Sequence, residues 1–132
     1  MSKILFVEDD SLMSEMYQLL LRNSEHQIEF LNDGASAIVR AKEWQPDMLL
    51  LDMMMPKMNG LEVLGALKAD QATVWIPVVM LSNLDSEKFV KEALEKGAAG
   101  YVLKSDYSGA KIRTMIDDTL RRYRNELKGA VI

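Results

Sequence analysis

The chain has no cysteine, which removes disulfides and thiolate metal sites from consideration. Its single histidine, His26, leaves no cluster of imidazole ligands. There are three prolines and no Pro/Gly/Ser-rich or low-complexity stretch, so neither a flexible linker nor a disordered segment is expected. No apolar run approaches the roughly 20 residues needed to cross a bilayer. In MSKILFVEDD the acidic residues arrive by position 8, which leaves no room for the apolar stretch of a secretory signal. The expected location is therefore the cytoplasm, with no membrane association. A formal charge of −4 argues against nucleic acid as a direct ligand, because phosphate binding usually needs a basic surface.

What remains is a globular composition, 48% hydrophobic and 27% charged over 132 residues, enough for one domain with a real core. Five apolar runs alternate with five helix-length segments: Ile4 to Val7, Ile28 to Leu31, Met48 to Leu51, Ile76 to Leu81 and Tyr101 to Leu103. The second is mixed with polar residues and reads as more exposed. Met48-Leu49-Leu50-Leu51 shows no alternation, the pattern of a strand buried on both faces. Between the runs, helical spacing recurs at Leu12, Met16, Leu19 and Leu20, at Ala35, Ile38 and Ala41, at Leu61, Leu64 and Leu67, and at Phe89, Val90, Ala93 and Leu94. A last stripe runs through Ile112, Met115, Ile116, Leu120, Tyr123 and Leu127, leaving Arg121, Arg122, Arg124 and Lys128 largely toward solvent. Asp33-Gly34 precedes the second helix, Asp85-Ser86 offers an N-cap to the fourth, and Gly97 offers its left-handed stop. Strict βα alternation predicts a doubly wound (βα)5 domain, a parallel sheet with helices on both faces.

In such a sheet, ligands collect outside the carboxyl ends of the strands. There the sequence places Glu8-Asp9-Asp10, Asp52, Ser82 and Lys104, after the first, third, fourth and fifth runs. Clustered carboxylates raise one another's pKa and call for a cation. With no cysteine and His26 far from these ends, oxygen ligands dominate, which selects a hard ion such as Mg²⁺. Magnesium beside a free carboxylate and a lysine suggests phosphoryl transfer to form an aspartyl phosphate.

The segments VEDD (7–10), LLLDMMMPKMNG (49–60), VVMLSN (78–83) and GAAGYVLK (97–104), in this order and spacing, resemble the receiver domain of two-component response regulators across nearly the whole chain. The resemblance implies a flavodoxin-like, CheY-like fold with strand order 2-1-3-4-5. It implies that Asp52 is the phosphoryl acceptor and that Glu8 and Asp9 form the acidic pair, Asp9 being a direct Mg²⁺ ligand. Asp10 would start the first loop, and Met54 would offer its backbone carbonyl to the metal. Ser82 would swing its hydroxyl to the phosphoryl group, Lys104 would pair with it, and Tyr101 would be the aromatic switch that repacks the face of helix four, strand five and helix five. Implied partners are a sensor histidine kinase or a phosphotransfer protein and a downstream protein target. That face also allows a phosphorylation-linked homodimer, although its sequence has no decisive apolar patch.

Each residue also has a plainer reading. Asp52, Glu8 and Asp9 could cap helices, Ser82 could bond local backbone, Lys104 could be an ordinary surface lysine, and Tyr101 could be a static strand residue. Met53, Met54, Met55 and Met58 read as packing residues, the C-terminal arginines read as a solvated helix face, and Trp44 and Trp75 have no functional assignment. The five strand-end groups taken together favour the switch. The expected organisation is a receiver domain over 1–126 with a tail over 127–132 and no output domain, either stand-alone or the receiver of a longer regulator. The expected activity is limited to the domain's own phosphorylation and dephosphorylation. Competing classes are a phosphorylation-independent interaction module of the same fold and a magnesium-dependent phosphatase, the latter disfavoured because no strand end offers a second carboxylate spaced as a general acid.

The sequence departs from the family pattern after Lys104, where Ser105 replaces the usual proline of a cis peptide. A non-proline cis bond costs about 3 kcal/mol, so the following loop is either trans and rerouted or strained. Met54 and Leu84 stand at positions that tune hydrolysis in the family, and neither can orient an attacking water. A comparatively long-lived aspartyl phosphate is expected, shortened in Met54→Asn or Leu84→Glu. An unchanged dephosphorylation rate in both variants would refute that explanation.

Overall fold

A computed structural model of the chain describes residues 2–83, 87–106 and 108–131, with side chains to residue 123 except that of Asp106. The Asp85-Ser86 cap, Leu84, and the side chains of Arg124, Leu127 and Lys128 lie outside what is described. The elements are β1 (Lys3–Val7), α1 (Ser11–Leu21), β2 (Gln27–Leu31), α2 (Gly34–Trp44), β3 (Met48–Asp52), α3 (Gly60–Ala69), β4 (Val78–Ser82), α4 (Glu87–Glu95), β5 (Gly100–Leu103), a 3-10 turn (Lys104–Asp106) and α5 (Gly109–Val131). The five strands are parallel, in the order β2-β1-β3-β4-β5.

Alternate residues of the sheet feed two cores. Ile4, Phe6, Met48, Leu50, Val79, Leu81 and Val102 pack with Tyr17 and Leu21 of α1 and with Ile112, Ile116 and Leu120 of α5. Leu5, Val7, Leu49, Leu51, Val78 and Met80 pack with α2, α3 and Ala93 of α4. Every residue of β3 and β4 is buried, whereas the edge strand β2 is half-exposed. The uninterrupted apolar run at 48–51 follows from this, since a strand covered on both faces has no solvent side to spend on polar residues.

Three local readings change. On α1 the expected inward stripe turns out: Leu12 is 76% exposed, Leu19 63% and Met16 39%. Tyr17 and Leu21 are buried, and Met13 and Leu20 pack beside them. Two apolar stripes share the helix, and the aromatic one wins because Tyr17 packs against Phe6 with its ring tilted, centroids 4.7 Å apart, and Phe30 stacks on Phe6 at 5.1 Å. In α2, Ala37 rather than Ala35 faces the core with Ala41. The fourth strand begins at Val78, after the buried Ile76 and Pro77, because proline cannot donate to the ladder. The punctuation at Asp33 and Gly97 is as expected. Asp33 caps α2 through the Ser36 amide, and Gly97 takes a left-handed φ of 102° after α4.

Trp44 lies beneath the Lys3 ammonium and the Arg40 guanidinium, and Trp75 donates its indole N–H to the Gln45 side chain and the Ala72 carbonyl. Both therefore act as packing residues. Helix α5 passes residue 126 without a break, since no proline interrupts it where the sequence reading began a tail.

Leu50→Ala, which would empty a fully buried site, is expected to cost about 2–5 kcal/mol. Leu12→Ser and Leu19→Ser are expected to cost no more than about 0.5 kcal/mol each. Urea unfolding of the three variants checks which face of α1 is inward.

Candidate functional site

The strand order reverses between β1 and β3, the place where an open parallel sheet leaves a crevice. β1 and β3 pair there through Val7 and Leu51, so Glu8, Asp9 and Asp52 emerge side by side. Their carboxylate oxygens lie within 4.8 Å of one another. Asp52 occupies the last position of β3 and is locked in register opposite Leu81 of β4, with Met53 N–H donating to the Leu81 carbonyl at 2.9 Å.

The pocket is unusually dry for its charge. Glu8 is 1% exposed and Asp52 4%. A single ammonium compensates them: Lys104, arriving from β5, donates to Glu8 Oε1 at 2.7 Å and lies 3.2 Å from Asp52 Oδ1. Burial alone would lower the Lys104 pKa, but its bond to Glu8 and the charges of Asp52 and Glu8 outweigh that and hold it above the ordinary lysine value. Asp52 moves the other way from a normal carboxylate. Burial pushes it up, the hydrogen bond and charge of Glu8 push further, and Lys104 offsets only part, leaving its pKa at about 8 against an ordinary 3.8.

The loop after β3 fixes both this buried carboxylate and the backbone beside it. Met54 N–H donates to Asp52 Oδ1 at 3.3 Å, and Gly60 N–H donates to the Met53 carbonyl at 2.9 Å. Gly60 cannot carry a side chain, since a Cβ there would lie 2.5 Å from the Asp52 carbonyl oxygen. Asn59 and Glu62 then form a reciprocal capping box that starts α3. Asp10 accepts from Leu12 N–H and Met13 N–H and starts α1, so Glu8 and Asp9 are spared the capping role.

The structure thus brings Glu8, Asp9, Asp52 and Lys104 together. Ser82 is buried at the end of β4, next to β3. Tyr101 is half-buried opposite Met80 and packs against the α2–α4 side of the sheet. Asp52 follows Leu50 on the other side, the α1–α5 face. Met54 projects outward at 63% exposure. The Lys104–Ser105 peptide is trans, as no cis bond occurs among the described residues, and Lys104 opens a 3-10 turn; the loop is rerouted. Tyr17 was missed by sequence reasoning. It is buried below the pocket, and burial raises its phenol pKa, with Lys104 opposing and Glu8 and Asp52 adding to the rise. Its spacing from Met13 was a usable signal, masked by the more apolar Leu12 stripe.

Oxygen donors alone, with carboxylate charge in excess of ammonium, suit a hard divalent cation at Glu8, Asp9 and Asp52. A second group, Glu25, His26 and Asp117, lies near the opposite end of the sheet. There His26 Nδ1 accepts from Ser2 N–H at 3.2 Å, so the ring proton belongs on Nε2, which faces Asp117 at 2.8 Å. A metal on Nε2 would need that proton on Nδ1, against the Ser2 amide. This group is a structural tie between the start of β1 and α5.

Because native Asp52 keeps its proton up to about 8 while the unfolded chain loses it near 3.8, the native state binds the extra proton across that window and stability falls as pH rises through it. In divalent-free buffer, wild-type stability should decline between about pH 5 and about pH 8.5, and Asp52→Asn should flatten that decline. Urea unfolding at both pH values checks this, and a slope untouched by the substitution would refute the assignment.

Among the described residues no helix is long and apolar enough to cross a membrane. Residues 4–117 match the family model of the response regulator receiver domain. The DNA-binding response regulator MtrA of Mycolicibacterium smegmatis is 38% identical over 102 residues, covering 77% of this chain and 43% of MtrA. The chain thus spans less than half the length of that relative. The chemotaxis protein CheY4 of Vibrio cholerae superposes with a TM-score of 0.83 at 24% identity, covering 90% of this chain and 98% of CheY4. The Mn²⁺-bound form of response regulator Rcp1 superposes with a TM-score of 0.72 at 28% identity, covering 95% and 91%. With the strand order, the switch-point pocket and the family match in agreement, the chain belongs to the response regulator receiver domains.

Proposed function

We propose that the chain is a phosphorylation-dependent signalling switch whose acceptor is Asp52. The observation that carries this reading is a dry pocket in which three carboxylates converge with one ammonium, Lys104, at the strand switch point. A sensor histidine kinase or a phosphotransfer protein supplies the phosphoryl group. An Asp52 carboxylate oxygen attacks phosphorus, the O–P bond forms as the N–P bond of the donor phosphohistidine breaks, and the imidazole leaves with the electron pair. Lys104 follows the developing charge from the carboxylates to the phosphoryl oxygens.

Glu8, Asp9, Asp52 and the Met54 carbonyl are the groups that would hold Mg²⁺, which when bound screens the phosphoryl oxygens and the nucleophile. The Mn²⁺ held by Rcp1 supports a divalent ion in this fold. Ser82 reports the new group by turning its hydroxyl toward it. Tyr101 lies on the side of the sheet opposite Asp52 and is joined to Ser82 through the β4–β5 pairing. A shift of Ser82 is thereby relayed to the α4–β5–α5 face, where a protein target binds. The domain turns over no external substrate and works in the cytoplasm. MtrA is a DNA-binding response regulator, and this chain covers 43% of it; at a net −4, this domain acts on protein partners.

The test is intact mass after incubation with Mg²⁺ and acetyl phosphate, run beside Asp52→Ala. One base-labile phosphoryl adduct is expected, absent when the metal is chelated before the donor is added and absent from the variant. A folded protein that binds magnesium and takes no adduct from acetyl phosphate or a kinase donor would instead make it a phosphorylation-independent interaction module.

A further inference from the structure

Four methionines lie between residues 53 and 58, and the structure separates them. Met53 and Met55 are buried at 3% and 8%, whereas Met54 is 63% exposed and is the most exposed described methionine, ahead of Met16 at 39%. A thioether open to solvent is the one most readily oxidised, and buried methionines are shielded. Met54 is also tethered to the acceptor. Its amide nitrogen is 3.3 Å from Asp52 Oδ1, and its sulfur lies four covalent bonds further on, so it stays within roughly 8 Å of that carboxylate in any rotamer.

We propose that Met54 is an oxidation site through which peroxide shortens the life of the phosphorylated state, an inference that rests on Asp52 being the acceptor. The sulfur lone pair attacks one peroxide oxygen and the O–O bond breaks. The other oxygen leaves as hydroxide and takes a proton to become water, so sulfur is oxidised by two electrons and peroxide is reduced. A weakly accepting thioether becomes a strongly accepting sulfoxide at the mouth of the pocket. The sulfoxide oxygen accepts a hydrogen bond from a water approaching phosphorus opposite the Asp52 oxygen. That water forms its O–P bond as the Asp52 O–P bond breaks, and its proton passes to solvent.

The test treats the full chain with dilute hydrogen peroxide, quenches with catalase and maps the oxidised peptides by mass. The samples are then phosphorylated with Mg²⁺ and acetyl phosphate, and loss of the adduct is followed after the donor is removed. The expected result is a first oxygen on Met54 and an adduct half-life shortened about threefold or more, short of the 10²–10⁴ of a positioned general base. Methionine sulfoxide reductase should reverse the shortening, Met16→Leu should keep it, and Met54→Leu should show no difference between its own treated and untreated samples. Oxidation of another methionine before Met54, an unchanged half-life in protein oxidised at Met54, or equal shortening in Met54→Leu would overturn the proposal. If untreated wild type takes no adduct, the acceptor assignment fails, and this proposal falls with it; the untreated control separates that outcome from the others.

Discussion

The charge balance between Lys104 and the carboxylates of Glu8 and Asp52 is the constraint on which the site depends. A carboxylate 1% exposed, as Glu8 is, is tolerable only if it is paired and hydrogen-bonded. The Lys104 bond at 2.7 Å meets that need. One ammonium cannot fully serve two buried acids, and the shortfall appears as the upward shift of Asp52. The pocket is therefore poised to gain positive charge or to lose a proton, and both properties suit a carboxylate meant to be modified.

The sheet supplies the precision that this balance requires. Glu8 and Asp52 come from adjacent strands in fixed register, and Lys104 from the edge strand two places away. Loops alone would not hold an ion pair across three chain segments separated by 44 and 52 residues (8 to 52, 52 to 104). Buried strands do, because a slip of one residue would turn every side chain to the wrong face. The same alternation divides the labour: Asp52 follows Leu50, which packs on the α1–α5 side, while Tyr101 packs on the α2–α4 side. A change at the pocket thus has a route through β4 to the opposite surface.

The exposed apolar residues are as informative as the buried ones. The outward Leu12, Met16 and Leu19 sit on the helix that begins at Asp10, one residue beyond the acidic pair. They show that an apolar stripe at helical spacing identifies a helix without identifying its core face. Met54 makes a related point within a single run, since neighbouring methionines differ between packing and exposure only through the path of the loop after β3.

The order of strands and helices, the buried central strand at 48–51 and the gathering of Glu8, Asp9, Asp52, Ser82 and Lys104 at strand ends were legible in the sequence. Period and punctuation are local properties, and βα alternation leaves few ways to arrange them. The sequence also contained both stripes of α1 but could not rank them, because the contact of Tyr17 with Phe6 depends on how two separate elements meet. Nor could it show that the Lys104–Ser105 peptide is trans and turns directly into a 3-10 segment. Above all, residue types and spacing placed three acids and a lysine at one edge of a sheet. Only the tertiary structure, by excluding water from Glu8 and Asp52 and setting one ammonium between them, decided that Asp52 carries a raised pKa, since that depends on burial and distance rather than on residue identity.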